Sequence, residues 1–534
     1  MAKVKKLRKK RAKETKAMKR GQRRLRGEKT VYRKTNLIYT RNQQEVIKRL
    51  LNGDYEMVTG KGWGFFDEFF TFLWHIGFLS LLNIEGVGFK RKMITLTKLL
   101  MTYSTKILLG ISSMNAVPEK LFGDIGLLKL LGFTVRQIKE GFSDRGKYEE
   151  GPMHKNTLAD AAAKVTLNEC QDILNGTAQI LVKKGMLPEE GKYVLDATDL
   201  LTTEKFKGCG RKTVMHKKKD KEGNIVEIPE TTYGFKLFAV YEVNTRIIVA
   251  AKIVKIQESE SNYTIEMLKL AQKNLEVGNK KIKTFLIDRG FIDGQTLWQI
   301  KNVYGVDFVI PSKTDMDITE NVRSFRYTKD KDVVRESRDV EKEGTTSLLG
   351  VNGFKSYRQY SKDLINEADK NKNGDPINAI MVYEYKSEEY KPGKEKVFLT
   401  SLSAEKPLEV LDEYDLRSLV ENCCFRELKQ GWNLESYPKK TRQGVETHVM
   451  LTLCMFSLCN AYRTKEGQKL TDAGIRRFRR TMNRDDIHKV VIYTDEYYGI
   501  FDVEELMIIF GKKPKYLFRT DEALVKKLYG IDDS

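Results

Sequence analysis

The chain has 534 residues, 40% of them hydrophobic, enough for a large core spread over two to four domains, which excludes an intrinsically disordered protein. Its formal net charge of +22 points to a polyanionic partner. The Cys residues (Cys170, Cys209, Cys423, Cys424, Cys454 and Cys459) form no CxxC pair and keep no metal-ligand spacing with the His residues. Neither a zinc site nor a disulfide framework is therefore expected, and the expected compartment is a reducing cytosol.

Residues 1–34 hold 17 Lys and Arg against Glu14 and Glu28, a net of +15 out of the +22. They read as a flexible basic arm that neutralises DNA phosphates on a mildly basic body. No apolar h-region accompanies the charge, so no secretory signal is expected. Residues 35–188 read as mostly helical, with candidates at 41–52, 65–82, 91–111, 117–131, 134–142 and 157–185 separated by Gly and Pro. The apolar run 65–82 contains Asp67, Glu68 and His75, which favours a buried helix over a membrane span. Around Gly132, residues 127–139 form two short amphipathic pieces, the pattern of a helix-turn-helix or of any antiparallel helix pair. Gly60–Gly64 has Gly and Lys without P-loop spacing, so no nucleotide cofactor is expected.

From about residue 190 the period changes. Strands are expected at 192–197, 232–243, 246–254, 283–288 and 306–311, with helices at 259–275 and 293–303 between the later ones. The order β, β, β, α, β, α, β is that of an RNase H-like α/β core over 189–313, with its first and fourth strands side by side. Lys217, Lys218 and Lys219 fall in the long connection between the first two strands, read as an exposed loop. Residues 314–404 read as a β-rich insertion with runs at 346–359 and 378–386. Within it, residues 369–374 imitate the first half of a calcium loop, but Ile380 stands where the bidentate Glu belongs, so a hairpin turn is expected. Residues 405–465 return to the core as two helices, 405–430 and 441–465. Residues 466–534 form a small mixed region with a strand candidate at 489–494.

Two Asp residues end apolar strand-like runs: Asp196 after Tyr-Val-Leu and Asp288 after Phe-Leu-Ile. Side by side, they would converge. A third carboxylate, Glu421, lies on a stretch without Gly or Pro in which Tyr414, Arg417 and Glu421 share one helix face. Asp199 competes with Asp196, but strand alternation turns it to the other side. Asp293 competes with Asp288 but lies in the loop or helix start beyond it. Taken singly, each Asp is a helix cap or turn residue; three carboxylates in this order form an oxygen cage suited to Mg2+ or Mn2+, two ions acting on a phosphodiester.

These motifs resemble the DDE transposases of bacterial insertion sequences, in the branch marked Y-x2-R-x3-E-x6-K. Asp196-Ala-Thr resembles its first-Asp motif and Asp288-Arg-Gly-Phe its second, while Tyr414, Arg417 and Glu421 match the Y-x2-R-x3-E part. The resemblance spans roughly 190–465. It implies that Asp196, Asp288 and Glu421 are the catalytic, metal-binding triad, and that Tyr414 and Arg417 contact DNA phosphate near the cut. It also implies a partner of double-stranded DNA (transposon ends and target), a dimer assembled on DNA, a prokaryotic cytoplasmic setting and no membrane. The signature Lys departs from the pattern: Leu428 follows Glu421 at the expected interval and Lys429 comes one later. Lys429 reaches round, a π-bulge absorbs the extra residue, or Arg426 substitutes. Relatives stack a Trp from the insertion on a flipped base at a DNA hairpin. Residues 314–404 contain no Trp; Tyr327, Phe354, Tyr357 and Tyr360 are the aromatic alternatives, with a core role the plainer reading. The implied activity is DNA cleavage at terminal inverted repeats followed by strand transfer. The rivals are a metal-dependent nuclease without strand transfer and a non-catalytic DNA-binding descendant.

Overall fold

The computed structural model describes residues 40–61, 66–84, 94–142, 151–219, 225–363, 372–418, 424–465, 486–494, 497–512 and 521–531. The basic arm 1–34, Cys423 and Glu421 lie outside the described residues. The fold is mixed α/β and divides into two compact units: 1–173, 431–455 and 473–534 form the first, and 174–430 with 456–472 the second.

The second unit is built on a mixed sheet, 11-stranded among the described residues. In chain order it contains β1 (Glu190–Thr202), β2 (Gly210–Lys219), β3 (Ile225–Glu242), β4 (Ile248–Lys255), α1 (Thr264–Glu276), β5 (Lys281–Ile287), α2 (Gly294–Asn302), β6 (Asp307–Pro311) and α3 (Asp317–Ser324). There follow β7 (Val334–Val340), β8 (Gly344–Phe354), β9 (Ile377–Tyr385), β10 (Lys396–Thr400), α4 (Pro407–Asp415) and α5 (Arg426–Gly431). The strand order is β2-β3-β1-β5-β6-β10-β9-β8-β7, with β4 also on β3 and a two-residue strand, Glu388–Glu389, on β9. β5 runs parallel to both β1 and β6, and the remaining pairs are antiparallel.

The apolar runs explain the centre. Tyr193, Val194, Leu195, Phe285, Leu286 and Ile287 are fully buried, as expected of parallel strands covered on both faces. Helix α1 is tied to the sheet by Asn274, whose Nδ2 donates to the Val249 carbonyl at 2.9 Å and whose Oδ1 accepts from Gln179. The strands of 334–400 continue the same sheet: β10 pairs with β6 at Leu399↔Ile310.

Several elements differ from expectation. The connection carrying Lys217–Lys219 is a strand: β2 pairs with the outer half of β3, Met215 opposite Pro229. The run 157–185 is two helices, Lys155–Ala162 and Leu167–Lys183. The second starts at a capping box, in which the Thr166 amide donates to Glu169 Oε2 and the Glu169 amide to Thr166 Oγ1. The run 65–82 breaks at Gly77, whose φ of 88° is left-handed. Among the described residues no helix is long and apolar enough to cross a membrane.

In the first unit, helices Ile125–Leu130 and Val135–Glu140 flank the Gly132 turn, and the buried Lys98 ammonium donates to the Gly132 carbonyl at 2.8 Å. The unit also holds a sheet, four-stranded among the described residues, made from segments more than 400 residues apart. Thr40–Arg41 pairs with Tyr497–Asp502, that strand with Asp486–Tyr493, and the last with Met57–Lys61. Gly60 and Lys61 thus lie on a strand.

Candidate functional site

Leu195 lies opposite Ile287 in the last parallel pair of β1 and β5. Asp196 and Asp288 follow on adjacent strands, at the same end of the sheet. Asp196 does not end its own strand, as the apolar run suggested. β1 continues to Thr202 by pairing with β3, and only its pairing with β5 stops before Asp196. That leaves Asp196 beside the point where β5 gives way to a single 3₁₀ turn, Arg289–Phe291. The Asp196 side chain accepts from the Ala197 amide at 2.7 Å, and Asp288 accepts from the Gly290 amide at 3.4 Å.

One guanidinium joins the two carboxylates. Arg417 Nη1 lies 3.3 Å from Asp196 Oδ2 and Nη2 lies 3.6 Å from Asp288 Oδ1. The Arg417 side chain is 14% exposed, Asp196 11% and Asp288 33%, so the bridge is screened from bulk solvent but open on the Asp288 side.

The expected continuous helix 405–430 stops at Asp415. Pro407 starts α4 at its first turn. Beyond its end, the Arg417 amide bonds back to the Tyr414 carbonyl at 2.8 Å, a tightened i→i−3 turn. No Gly or Pro dictates this stop; the turn delivers the guanidinium to the two aspartates. The helix is pinned on several sides. Arg338 forks onto Asp412 at 2.8 and 2.9 Å, Lys192 of β1 pairs with Glu413 at 2.7 Å, and the Leu408 amide donates to Glu336. Tyr414 packs on Phe398, with centroids 4.7 Å apart, and its ring lies 5.6 Å from the Arg417 guanidinium carbon. Burial pushes the Tyr414 phenol above its ordinary range, Arg417 opposing and Asp288 adding, so it stays a neutral donor.

The two other predicted cations separate. Lys429 Nζ donates to the Asp199 carbonyl at 2.6 Å, on the strand that bears Asp196. Arg426 is exposed and Leu428 buried. Cys424–Phe425 lie in a π-type turn leading into α5. Asp199 faces Lys212 at 3.9 Å, and Asp293 caps α2, accepting from the Thr296 amide. Of the aromatic candidates, Tyr357 and Tyr360 are buried, Phe354 packs edge-on against Phe325, and Tyr327 is 70% exposed.

Two features were missed by reasoning on the sequence. Glu260, paired with Lys236 at 3.1 Å, comes so close to Gly290 that a Cβ there would lie 2.1 Å from its Oε2. A cavity of about 590 Å³ also opens beside Asp288 and Arg417, lined by cations and aromatics that include Arg323, Lys394, Lys396 and Tyr385. On its wall the Tyr385 hydroxyl donates to Asp415, whose carboxyl is raised chiefly by burial.

Two carboxylates converging on one cation suit a hard divalent ion, for which carboxylate oxygens are the preferred ligands. Among the described residues, no three Asp, Glu, His or Cys side chains gather closely enough to hold an ion.

A family model described as a transposase DDE domain matches residues 188–458. No curated protein matches the chain. Among solved structures, a piggyBac transposase synaptic complex with hairpin DNA is similar over 86% of this chain and 80% of that one, at 10% identity and a TM-score of 0.37.

Proposed function

Since this chain belongs to the transposase DDE domain family, whose model covers half of it, we propose that it is a DNA transposase of a bacterial insertion sequence. It binds the terminal inverted repeats of its element, cuts phosphodiester bonds there, and joins the freed 3′-hydroxyls to target DNA. The observation that carries this reading is the convergence of Asp196 and Asp288, from adjacent parallel strands, on one guanidinium. The strand arrangement β4-β3-β1-β5-β6, antiparallel as far as β1 and parallel beyond it, supports an RNase H-like core.

Asp196 and Asp288, with Glu421 as third carboxylate, are the residues that would hold Mg2+ or Mn2+, two ions in all. Such ions activate a nucleophile and stabilise the leaving oxygen of a phosphodiester. The chain's own groups do the positioning. Tyr414, a neutral hydroxyl donor, and Arg417 take DNA phosphate near the cut. Lys429 braces the Asp196 strand through the Asp199 carbonyl, and the exposed Arg426 faces the DNA backbone. The basic residues 1–34 supply salt-dependent affinity, and the paired helices around Gly132 read the transposon end. Synapsis of two ends calls for a dimer on DNA.

The test is cleavage of plasmid DNA bounded by the element's own ends, with Mg2+ or with EDTA, for wild type, Asp196→Asn, Asp288→Asn and Glu421→Ala. Metal-dependent cuts at the ends, joined products, and loss of at least a thousandfold in each variant with end binding retained are expected. Cuts that are never joined favour a nuclease. End binding without cuts, equal in all four proteins, favours a non-catalytic DNA-binding protein.

A further inference from the structure

We infer that Arg417 is the resident cation of the Asp196–Asp288 pair, and that a divalent ion binds there only by displacing it. The inference rests on the metal-dependent reading above and adds a competition to it. Each amino nitrogen of the guanidinium takes a different carboxylate, Nη1 on Asp196 and Nη2 on Asp288. A fork that spans two acids is a bridge, unlike the usual bidentate grip on one.

The bridge is loose. Its distances of 3.3 and 3.6 Å exceed the roughly 2.7–2.9 Å of a good charge-assisted bond. A divalent ion approaches carboxylate oxygen to about 2.0–2.6 Å, far closer. Both cations draw on the same two side chains, and positive charges so near each other repel, so they cannot occupy the pair together. Without either one, two carboxylates would face each other in a partly buried site.

The arginine has somewhere to go. Its backbone sits in the turn beyond α4, outside a regular helix, and its side chain lines the 590 Å³ cavity with Arg323, Lys394 and Lys396. The lining also carries Asp288, Glu395 and Asp415, with Arg323 paired to Glu395, yet Arg289, Arg323, Lys394, Lys396 and Arg417 outnumber these acids, which suits a phosphate anion. The Tyr414 ring, 5.6 Å from the guanidinium carbon, flanks the side chain in its bridging position. Arg417 thus has two acceptors of like sign, the aspartate pair without metal and a DNA phosphate with it. DNA binding and metal binding are then linked: each draws the guanidinium away from the state that opposes the other.

The experiment is direct Mn2+ titration of the full chain, read by the electron paramagnetic resonance of free Mn2+, with and without a short duplex of the transposon end. Arg417→Gln is expected to bind Mn2+ at least tenfold more tightly than wild type without DNA. The duplex is expected to tighten wild type at least fivefold and to leave Arg417→Gln unchanged. A merely structural arginine would give the opposite, a weaker site on removal. Asp196→Asn, expected to weaken Mn2+ at least tenfold, separates the two readings. If Asp196→Asn weakens binding but Arg417→Gln binds as wild type or worse, the competition is overturned and the metal site stands. If Asp196→Asn binds as wild type, both fall. Should Arg417→Gln not fold by circular dichroism, Arg417→Lys carries the test, because one ammonium cannot fork across two acids. Binding at least threefold tighter supports the competition, and equal or weaker binding overturns it.

Discussion

Gly290 shows how closely the chain is fitted around Asp288. The backbone leaves β5 at Asp288 and passes the Glu260 carboxylate at the next residue but one. A methyl group at 290 would stand 2.1 Å from Glu260 Oε2 and 3.7 Å from Asp288 Oδ2. The nearer contact is the far end of a flexible side chain, so the clash can be relieved by swinging Glu260 aside. That swing breaks its pair with Lys236, which is 7% exposed. Lys236 keeps its bond to the Glu258 carbonyl at 3.1 Å, so Gly290→Ala is expected to cost about 1.5–3 kcal/mol in urea unfolding, the loss of one charge-assisted hydrogen bond from a buried ammonium. Glu260→Ala alone should cost a similar amount. The double variant should cost clearly less than the two singles added, because the methyl then keeps only its ordinary van der Waals contact with Asp288 Oδ2 at 3.7 Å. Strict additivity would mean that Gly290 and Glu260 do not meet in solution.

At the scale of elements, what was legible follows from which contacts are local. The strands carrying Tyr193–Leu195 and Phe285–Ile287 were readable because burial on both faces demands unbroken apolar runs. The helix ending at Asp415 was not, since no Gly or Pro stops it; the stop depends on Arg417 meeting aspartates more than a hundred residues away. Asp196 and Asp288 could be picked out as the ends of apolar runs, but nothing local says that one guanidinium joins them. The capping box at Thr166 and Glu169 was a usable signal inside what read as one long helix. Strand β2 was missed for a different reason. With the outer half of β3 it forms a two-stranded ribbon, and exposure leaves no apolar alternation to read. Val214, Met215 and Ile228 are 40%, 53% and 44% exposed. A ribbon that buries so little adds little stability. Replacing residues 212–232 by a short turn is expected to change unfolding free energy by no more than about 1 kcal/mol, the range of surface changes. A loss beyond about 3 kcal/mol in urea titration would mean that the ribbon packs against something.

On the scale of the whole molecule, segments far apart in sequence close one sheet. Thr40–Arg41 lies parallel to Tyr497–Tyr498, and Met57–Lys61 lies antiparallel to the strand Asp486–Tyr493. Behind this sheet, Val46, Ile47 and Leu50 of helix Gln43–Leu51 pack in one cluster with Ile492, Phe501, Ile508, Ile509 and Val525, all nearly or fully buried. The sequence could not reveal this, because the pairing joins segments over 400 residues apart and each is short and only modestly apolar. The late segment supplies Ile492, Phe501, Ile508, Ile509 and Val525 to the cluster. At about 1.5–3 kcal/mol for each buried side chain, its loss removes roughly 7–15 kcal/mol, as much as the whole stability of an ordinary domain of about 5–15 kcal/mol. A protein ending at Lys465 should therefore fail to fold its first unit while keeping the sheet of the second, which among the described residues draws no strand from beyond Thr400. Calorimetry should register this as one lost transition, and limited proteolysis as digestion of 40–173 with 190–418 protected. If the shortened protein kept both transitions, the helices of the first unit would be stable without their sheet, and the pairing of 40–61 with 486–502 would be dispensable to the fold.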